Sequence, residues 1–202
     1  MVGGANGQEL QNVDMDIKVS TLRSMKAGYS RGHSPVVGGT ANDDAKAGHA
    51  EWIGNTLRFS GEGRQNYWYI PAAEDMVSFC VLIPDMLRNG GYVVSDSYAG
   101  CEYHEVVNNA TMELGFLHVY RGVNGPVKYT LGPGWTLMKK NFSMELSKRL
   151  PTKANNPNQR DGSILSISYI HPCQIFKDFV AQSDFICMKD GMVTHTLSQI
   201  AK

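Results

Sequence analysis

Short segments in which apolar and polar residues alternate constrain the fold of this 202-residue chain most strongly. The clearest is segment 165–169, where Leu165, Ile167 and Tyr169 alternate with two serines. This alternation is typical of a β-strand with one buried face, because successive side chains of a strand point to opposite sides. Similar patterns, bounded by glycine, proline and asparagine, predict further strands at residues 56–59, 67–70, 92–98, 114–120, 127–131, 185–188 and 193–197.

Four other segments have a helical character. Apolar residues three or four positions apart predict helices at 14–25 and 142–150, and shorter helices are predicted at 85–88 and 175–180. The apolar run at 76–83 fits a helix or a strand equally well. Because strands outnumber helices, we expect an α+β fold in which helices cover the outside of a mixed or antiparallel sheet.

The first 50 residues differ in composition from the rest of the chain. Residues 1–50 are rich in Gly, Ser, Asn, Asp and Ala, which predicts a loosely ordered leader, with order beginning near Trp52. Residues 51–202 are predicted to form a single domain, since apolar residues make up 42 % of the chain and can build one core of ordinary size.

Composition and charge argue against several classes of protein. Nineteen basic residues balance nineteen acidic ones, so no excess of positive charge is present to bind nucleic acid. No apolar run approaches the roughly 20 residues that cross a bilayer. The first residues lack the basic and apolar regions of a Sec-type signal peptide. The four cysteines show no CxxC spacing, which argues against a disulfide framework and a paired-cysteine zinc site.

Cys101 and His118 are the candidate catalytic residues. Cys101 follows a predicted strand, and His118 lies 17 positions later, inside the next predicted strand. Neighbouring strands can bring a thiol and an imidazole together, so that the thiolate attacks a carbonyl while the imidazole takes and returns the proton. The structural alternative is a small core thiol and a satisfied core histidine.

Small and polar residues lead into the cysteine. Gly100 would let the backbone approach a substrate closely, and its neighbouring amide could bind an oxyanion. Ser95, Asp96 and Ser97 could orient the imidazole or hold the substrate. Their alternative role is to end a strand in a turn.

A second pairing joins Cys101 to His104 in a CxxH spacing, with Glu102 and Glu105 nearby. A zinc site there would need further ligands, and the remaining histidines show neither HxH nor HxxxH spacing. We therefore expect no metal site.

The pattern of Ser95, Gly100, Cys101 and His118 resembles the cysteine–histidine glutamine deamidases. This group includes the catalytic domain of the cytotoxic necrotizing factors, the Burkholderia lethal factor and the chemoreceptor glutamine deamidases. Its members carry a hydroxyl residue about six positions before the cysteine, small residues leading into it, and a histidine on the next strand. Ser95, Gly100 and His118 match these positions, and the resemblance covers roughly residues 56–122.

The resemblance implies a β-sandwich-like core with outer helices, and hydrolysis of a glutamine side chain of a partner protein to glutamate without a cofactor. Residues 51–202 would then be a catalytic domain, with Cys101, His118 and Ser95 catalytic and with Gly100 and Ser97 at the substrate and oxyanion. The protein substrate would be a host GTPase or a translation factor. The protein would be a secreted effector or toxin without a Sec-type signal peptide, with a cytoplasmic enzyme as the alternative.

Two other functions fit the residues. The first is a different Cys–His enzyme, a cysteine peptidase or acyltransferase, in which His171 or His195 would serve because the histidine of papain-like enzymes lies far downstream. The second is a non-enzymatic binding module in which Cys101 and His118 are only packed.

Overall fold

The structure, a computed structural model, describes residues 10–15, 32–61, 63–98, 100–142, 150–154, 156–172, 181–189 and 192–200. These residues form strands almost throughout, together with one short helix, α1 (Pro84–Asn89). The predicted α+β class, a β-sandwich-like mixed sheet with outer helices, is therefore wrong. The physical reason is that the apolar face of the five-stranded sheet is covered by a closed eight-stranded barrel and not by helices.

The strands lie in two main layers and three small pairs. In chain order they are β1 (Asn12–Met15), β2 (Val36–Val37), β3 (Ala41–Asn42), β4 (Lys46–Ile53), β5 (Thr56–Ser60), β6 (Tyr67–Ile70), β7 (Val77–Leu82), β8 (Gly91–Ser95), β9 (Glu102–Asn108), β10 (Glu113–Val119), β11 (Arg121–Gly122), β12 (Gly125–Pro126), β13 (Thr130–Leu131), β14 (Trp135–Phe142), β15 (Thr152–Lys153), β16 (Asn156–Arg160), β17 (Ser163–Ile170), β18 (Ala181–Lys189) and β19 (Met192–Ile200).

The barrel has the strand order β1-β19-β18-β17-β8-β6-β4-β5, and a parallel pairing of β1 with β5 closes it. Side chains along its strands alternate between two apolar clusters. On β6, Tyr67 and Tyr69 join the cluster that contains Phe59 of β5, whereas Trp68 and Ile70 join a cluster shared with the five-stranded sheet. The barrel therefore has its own core and a second apolar face outside it.

The five-stranded sheet has the order β14-β9-β10-β7-β3 and is buried on both faces at its centre. Every residue of β7 and of β10 is buried. On β10, Leu114 and Phe116 pack toward the barrel, whereas Leu117 and Val119 join a cluster on the other face that contains Trp135. Because both faces are covered, these strands have near-continuous apolar sequences, and the ambiguous run at 76–83 is the strand β7.

Helix α1 confirms the short helix predicted at 85–88. Proline occupies its first turn, where a missing N–H costs nothing, and Arg88 in its last turn pairs with Asp85. Gly90 ends the helix with a φ of 69°, a conformation that favours glycine. No helix in the described part of the chain has the length and apolar character that crossing a membrane would require.

The other predicted helices are not seen in the described residues. The segment predicted as a helix at 14–25 begins inside strand β1, and its residues from 16 onward lie outside the described ranges. The segment at 142–150 begins at the last residue of β14, and residues 143–149 are not described. The helix predicted at 175–180 also lies outside the described residues.

Within the first 50 residues, the described segments contain β1, β2, β3 and the start of β4. The expected boundary between a leader and a domain, at residues 50 and 51, falls inside β4. Strand β8 ends at Ser95 and not at Tyr98, and only Thr130–Leu131 of the strand predicted at 127–131 is a strand. Strands β9 and β14 were not predicted. Cys101 therefore lies in the connection from β8 of the barrel to β9 of the five-stranded sheet and immediately precedes β9.

Phe116 tests the contact between the two layers. Its side chain is fully buried in the shared cluster, so we expect Phe116→Ala to lower the free energy of unfolding by about 3–5 kcal/mol through lost burial and a residual cavity. The matched control is Val123→Ala, since Val123 is fully exposed and the change should stay within about 0.5 kcal/mol. Urea unfolding measures both; equal values for the two variants would contradict the described core.

Candidate functional site

Ser95, Cys101 and His118 come from different parts of the fold and lie where the barrel contacts the five-stranded sheet. Ser95 ends β8 of the barrel, Cys101 immediately precedes β9, and His118 lies near the end of β10. The register of β9 and β10 places His118 opposite Tyr103. Cys101 lies two residues before Tyr103, so the alternation of a strand puts it on the same sheet face as His118, at a diagonal position.

His118 is held by Ser95 across the two layers. The Nδ1 atom of His118 lies 2.8 Å from the Ser95 hydroxyl, which in turn donates its hydrogen bond to the carbonyl of Ile70 at 2.7 Å. A serine hydroxyl has a single proton, so it must accept from His118, and Nδ1 therefore carries the hydrogen. In the neutral ring the other nitrogen, Nε2, is then left with a lone pair.

The surroundings of His118 keep its ring neutral. The residue is 1 % exposed, and the Tyr98 ring stacks on it with centroids 4.3 Å apart. Burial lowers the pKa of His118 to about 4. Nε2 has no hydrogen-bond partner in the described part of the chain. The imidazole thus carries an unprotonated nitrogen that can act as a base at neutral pH.

Cys101 shares this sheet face but is not hydrogen-bonded to His118, since Nε2 of the histidine has no partner within the described residues. Cys101 is 7 % exposed and its thiol is not joined in a disulfide. Burial raises the pKa of the thiol, while the backbone N–H groups of Arg121 and Cys101 and the charge of Arg121 act against that rise. The site is therefore closed in this structure.

The loop between β8 and Cys101 holds the remaining predicted residues. Ser97 is exposed and has a φ of 63°, and Gly100 has a φ of 142°. A Cβ on Gly100 would lie at an ordinary contact distance, 3.6 Å, from Cδ of Arg121, so its backbone conformation and not lack of space favours glycine. Asp96 accepts a hydrogen bond from Tyr69 of β6 at 2.7 Å. Its carboxylate therefore binds a barrel residue and does not orient His118.

His104 lies on the opposite face of β9 from Tyr103, and so away from Cys101. Its Nε2 contacts Glu102 Oε2 at 2.9 Å and its Nδ1 contacts the Tyr129 hydroxyl at 2.6 Å. The CxxH pair of the sequence therefore does not converge. No group of three or more potential metal ligands is found among the described residues.

A buried polar network fixes strand β9 to the barrel. The Tyr103 hydroxyl donates to Glu105 at 2.6 Å and lies 2.6 Å from Ser168, and Ser183 also donates to Glu105, at 2.7 Å. Sequence reasoning missed this network because it missed β9. The signal that could have found this strand is the alternation of Cys101 and Tyr103 with Glu102 and His104, a period of two.

Comparisons of the chain with protein-family models, with curated proteins and with solved structures find no match. The glutamine deamidase resemblance therefore depends on the residues of the site alone.

Burial of His118 gives a pH dependence of stability. Its pKa is about 4 when folded and about 6.5 when unfolded, so between these values the unfolded chain binds the extra proton. Stability from this residue is complete above pH ~6.5 and is lost as the pH falls toward ~4. We expect the wild type to lose about 2–3 kcal/mol more than His118→Gln between pH 7 and pH 4.5 in urea unfolding. Parallel losses in the two proteins would show that His118 titrates normally.

Proposed function

We propose that the chain is a protein-glutamine deamidase in which Cys101 is the nucleophile and His118 is the general base and acid. One observation carries this proposal: the Ser95–His118 hydrogen bond, which leaves the basic nitrogen of His118 on the sheet face that Cys101 shares. A histidine fixed in one tautomer by a third residue is the arrangement by which thiol and hydroxyl nucleophiles are activated.

The first half of the reaction forms a thioester. The Cys101 proton passes to Nε2 of His118 as the sulfur attacks the carbonyl carbon of a glutamine side chain. The tetrahedral intermediate collapses when its amide nitrogen takes the proton from His118, and the C–N bond breaks to release ammonia. Ser95 keeps the ring in place throughout, since its hydroxyl accepts from Nδ1 in both protonation states.

The second half hydrolyses the thioester. A water molecule gives its proton to Nε2 and attacks the carbonyl, and the carbon–sulfur bond breaks, returning the proton to the sulfur. The products are glutamate and the original thiol, so one water is consumed and one ammonia is released for each glutamine. The oxyanion of both intermediates needs backbone donors, and the N–H groups of Cys101 and Arg121, which lie against the sulfur, are the candidates.

The substrate must reach a closed site. Tyr98 covers the His118 ring, and Tyr98 belongs to the loop in which Ser97 and Gly100 have positive φ values. We infer that a displacement of this loop admits the glutamine, with Gly100 and exposed Ser97 nearest the entering chain. The substrate class that the resemblance implies is a protein, either a host GTPase or a translation factor, acted on by a secreted effector or toxin.

A second candidate function, a non-enzymatic binding module, is favoured by the burial of Cys101 and His118. In that function Nε2 of His118 has no catalytic task, and the Ser95 bond only satisfies a buried donor. The two functions differ in whether Cys101 is chemically needed.

Mass spectrometry of a lysate from candidate target cells decides between them. We expect the wild type to convert glutamine to glutamate in a partner protein, a gain of about 1 Da, and Cys101→Ser to abolish the change because its hydroxyl is far less acidic. His118→Gln should lower the rate by about 10²–10⁴-fold, since it removes general acid–base help. The matched control is Cys80→Ala, which removes a buried thiol in the same layer.

Three outcomes would contradict the deamidase proposal. Equal glutamate formation by the wild type and Cys101→Ser would exclude the thiol as nucleophile. Cleaved backbones or transferred acyl groups that depend on Cys101 would establish a peptidase or acyltransferase instead. A lysate that neither protein alters, combined with capture of an intact partner, would establish the binding module.

A further inference from the structure

We propose that Arg121, anchored by Glu102, supplies the positive charge that stabilises the thiolate of Cys101, and that His118 does not. This inference rests on the proposed use of Cys101 as a nucleophile, and it assigns a function to a residue outside the Ser95–Cys101–His118 set.

His118 is unsuited to pair with a thiolate in the resting protein. A thiolate–imidazolium pair needs a charged ring in contact with sulfur. The His118 ring is buried and neutral at pH 7, and its Nε2 has no partner in the described chain. Its lone pair suits it to take a proton during the reaction, but it offers no positive charge beforehand.

Arg121 is placed beside the sulfur by the end of β10. The register of β9 and β10 ends with Val119 opposite Glu102, so the chain continues alongside Cys101 as it reaches Arg121. The Arg121 side chain runs from Gly100, where a Cβ would lie 3.6 Å from its Cδ, to Glu102, whose Oε1 lies 3.2 Å from its Nη2. It thus contacts the residues on both sides of Cys101, and its own backbone N–H lies against the sulfur.

Glu102 fixes the guanidinium in place. Only 5 % of its side chain is exposed, and its Oε2 contacts Lys140 Nζ at 2.8 Å and His104 Nε2 at 2.9 Å. His104 is anchored in turn by the Tyr129 hydroxyl at 2.6 Å. Burial acts to raise the pKa of Glu102, but the bonds from Lys140 and His104 outweigh it and lower the pKa, so the carboxylate is ionised.

The charge of this cluster is positive on balance. Arg121 and Lys140 each carry one positive charge and Glu102 one negative charge, while burial lowers the pKa of His104 and keeps it neutral at pH 7. The Glu102 carboxylate is thus shared between two cations and does not cancel the charge of Arg121, which lies beside Cys101.

The other ionisable groups that face Cys101 cannot replace this charge. Tyr98 and Tyr120 are its ring neighbours, and burial raises the pKa of both. Glu74 and Asp75 lie beyond Tyr120 and act on it as negative charges. Among the described residues, Arg121 is the cation whose charge acts on the thiol.

The pH profile of alkylation tests the inference without any substrate. Iodoacetamide is added to the folded full-length chain across a pH series, and the Cys101 peptide is quantified by mass spectrometry. Only the thiolate reacts, so the midpoint of the profile reports its ionisation, whereas the absolute rate also reports opening of the closed site. The midpoint is therefore the measured quantity.

We expect Arg121→Gln to raise this midpoint by about one pH unit, which is about tenfold slower labelling at pH 7. Arg121→Lys keeps the positive charge, so its midpoint should stay close to that of the wild type. The matched control is Arg88→Gln, because Arg88 pairs with Asp85 on α1 and its charge does not act on the Cys101 thiol, so the midpoint should stay unchanged. If Arg121→Gln does not fold, Glu102→Gln should still lower the midpoint, since it removes the negative charge that offsets Arg121.

A midpoint that moves with His118→Gln and not with Arg121→Gln would overturn the inference, and so would an unchanged midpoint in Glu102→Gln. These results are independent of deamidation. If Arg121→Gln leaves the midpoint unchanged, Cys101 can still be the nucleophile of the proposed reaction. If no glutamate forms in the lysate, the measured effect of Arg121 on the Cys101 thiol still holds.

Discussion

The contact between the barrel and the five-stranded sheet is the constraint on which the rest of the structure depends. Strand β10 lies at the centre of that sheet with all of its residues buried, so its polar side chains depend on partners inside the protein. Its histidine finds Ser95 on the barrel strand β8, and its neighbour β9 is fixed through Tyr103 to serines of β17 and β18. The bonds that complete the core are thus the bonds that shape the candidate site.

Strands were predictable where the sequence alternates or is continuously apolar, as at β6, β10 and β17, because burial of one or both faces sets that pattern locally. Closure of the barrel was not predictable, since it depends on pairings of distant segments such as β1 with β5 and β19. Strand β9 was missed because its outer face carries Glu102 and His104. These residues tolerate burial only through Arg121, Lys140 and Tyr129, partners that local sequence does not reveal.

The site was predictable to a similar extent. The spacing predicted that the strand before Cys101 neighbours the strand of His118, but these strands, β8 and β10, lie in different sheets, and the structure joins Ser95 to His118 across the two layers. The spacing could not indicate which ring nitrogen carries the proton, because that depends on the carbonyl of Ile70, which takes the serine hydrogen. It also could not indicate the stacking of Tyr98 on the ring or the approach of Arg121 to the sulfur, since both arise from a loop conformation and from sheet register.

Separate groups therefore perform the two tasks that the proposed reaction requires of its thiol. Burial raises the pKa of Cys101, so a positive charge must be in place to stabilise the thiolate as the proton leaves, and a guanidinium provides it at any physiological pH. A base that moves protons must be neutral first, and the buried imidazole meets that condition because burial makes it costly to charge a ring whose Nε2 has no partner in the described chain. If one histidine served both purposes, its pKa would have to suit both; with Arg121 beside the sulfur, the low pKa of His118 is compatible with catalysis. The burial that makes the histidine appear purely structural is then what keeps its basic nitrogen available.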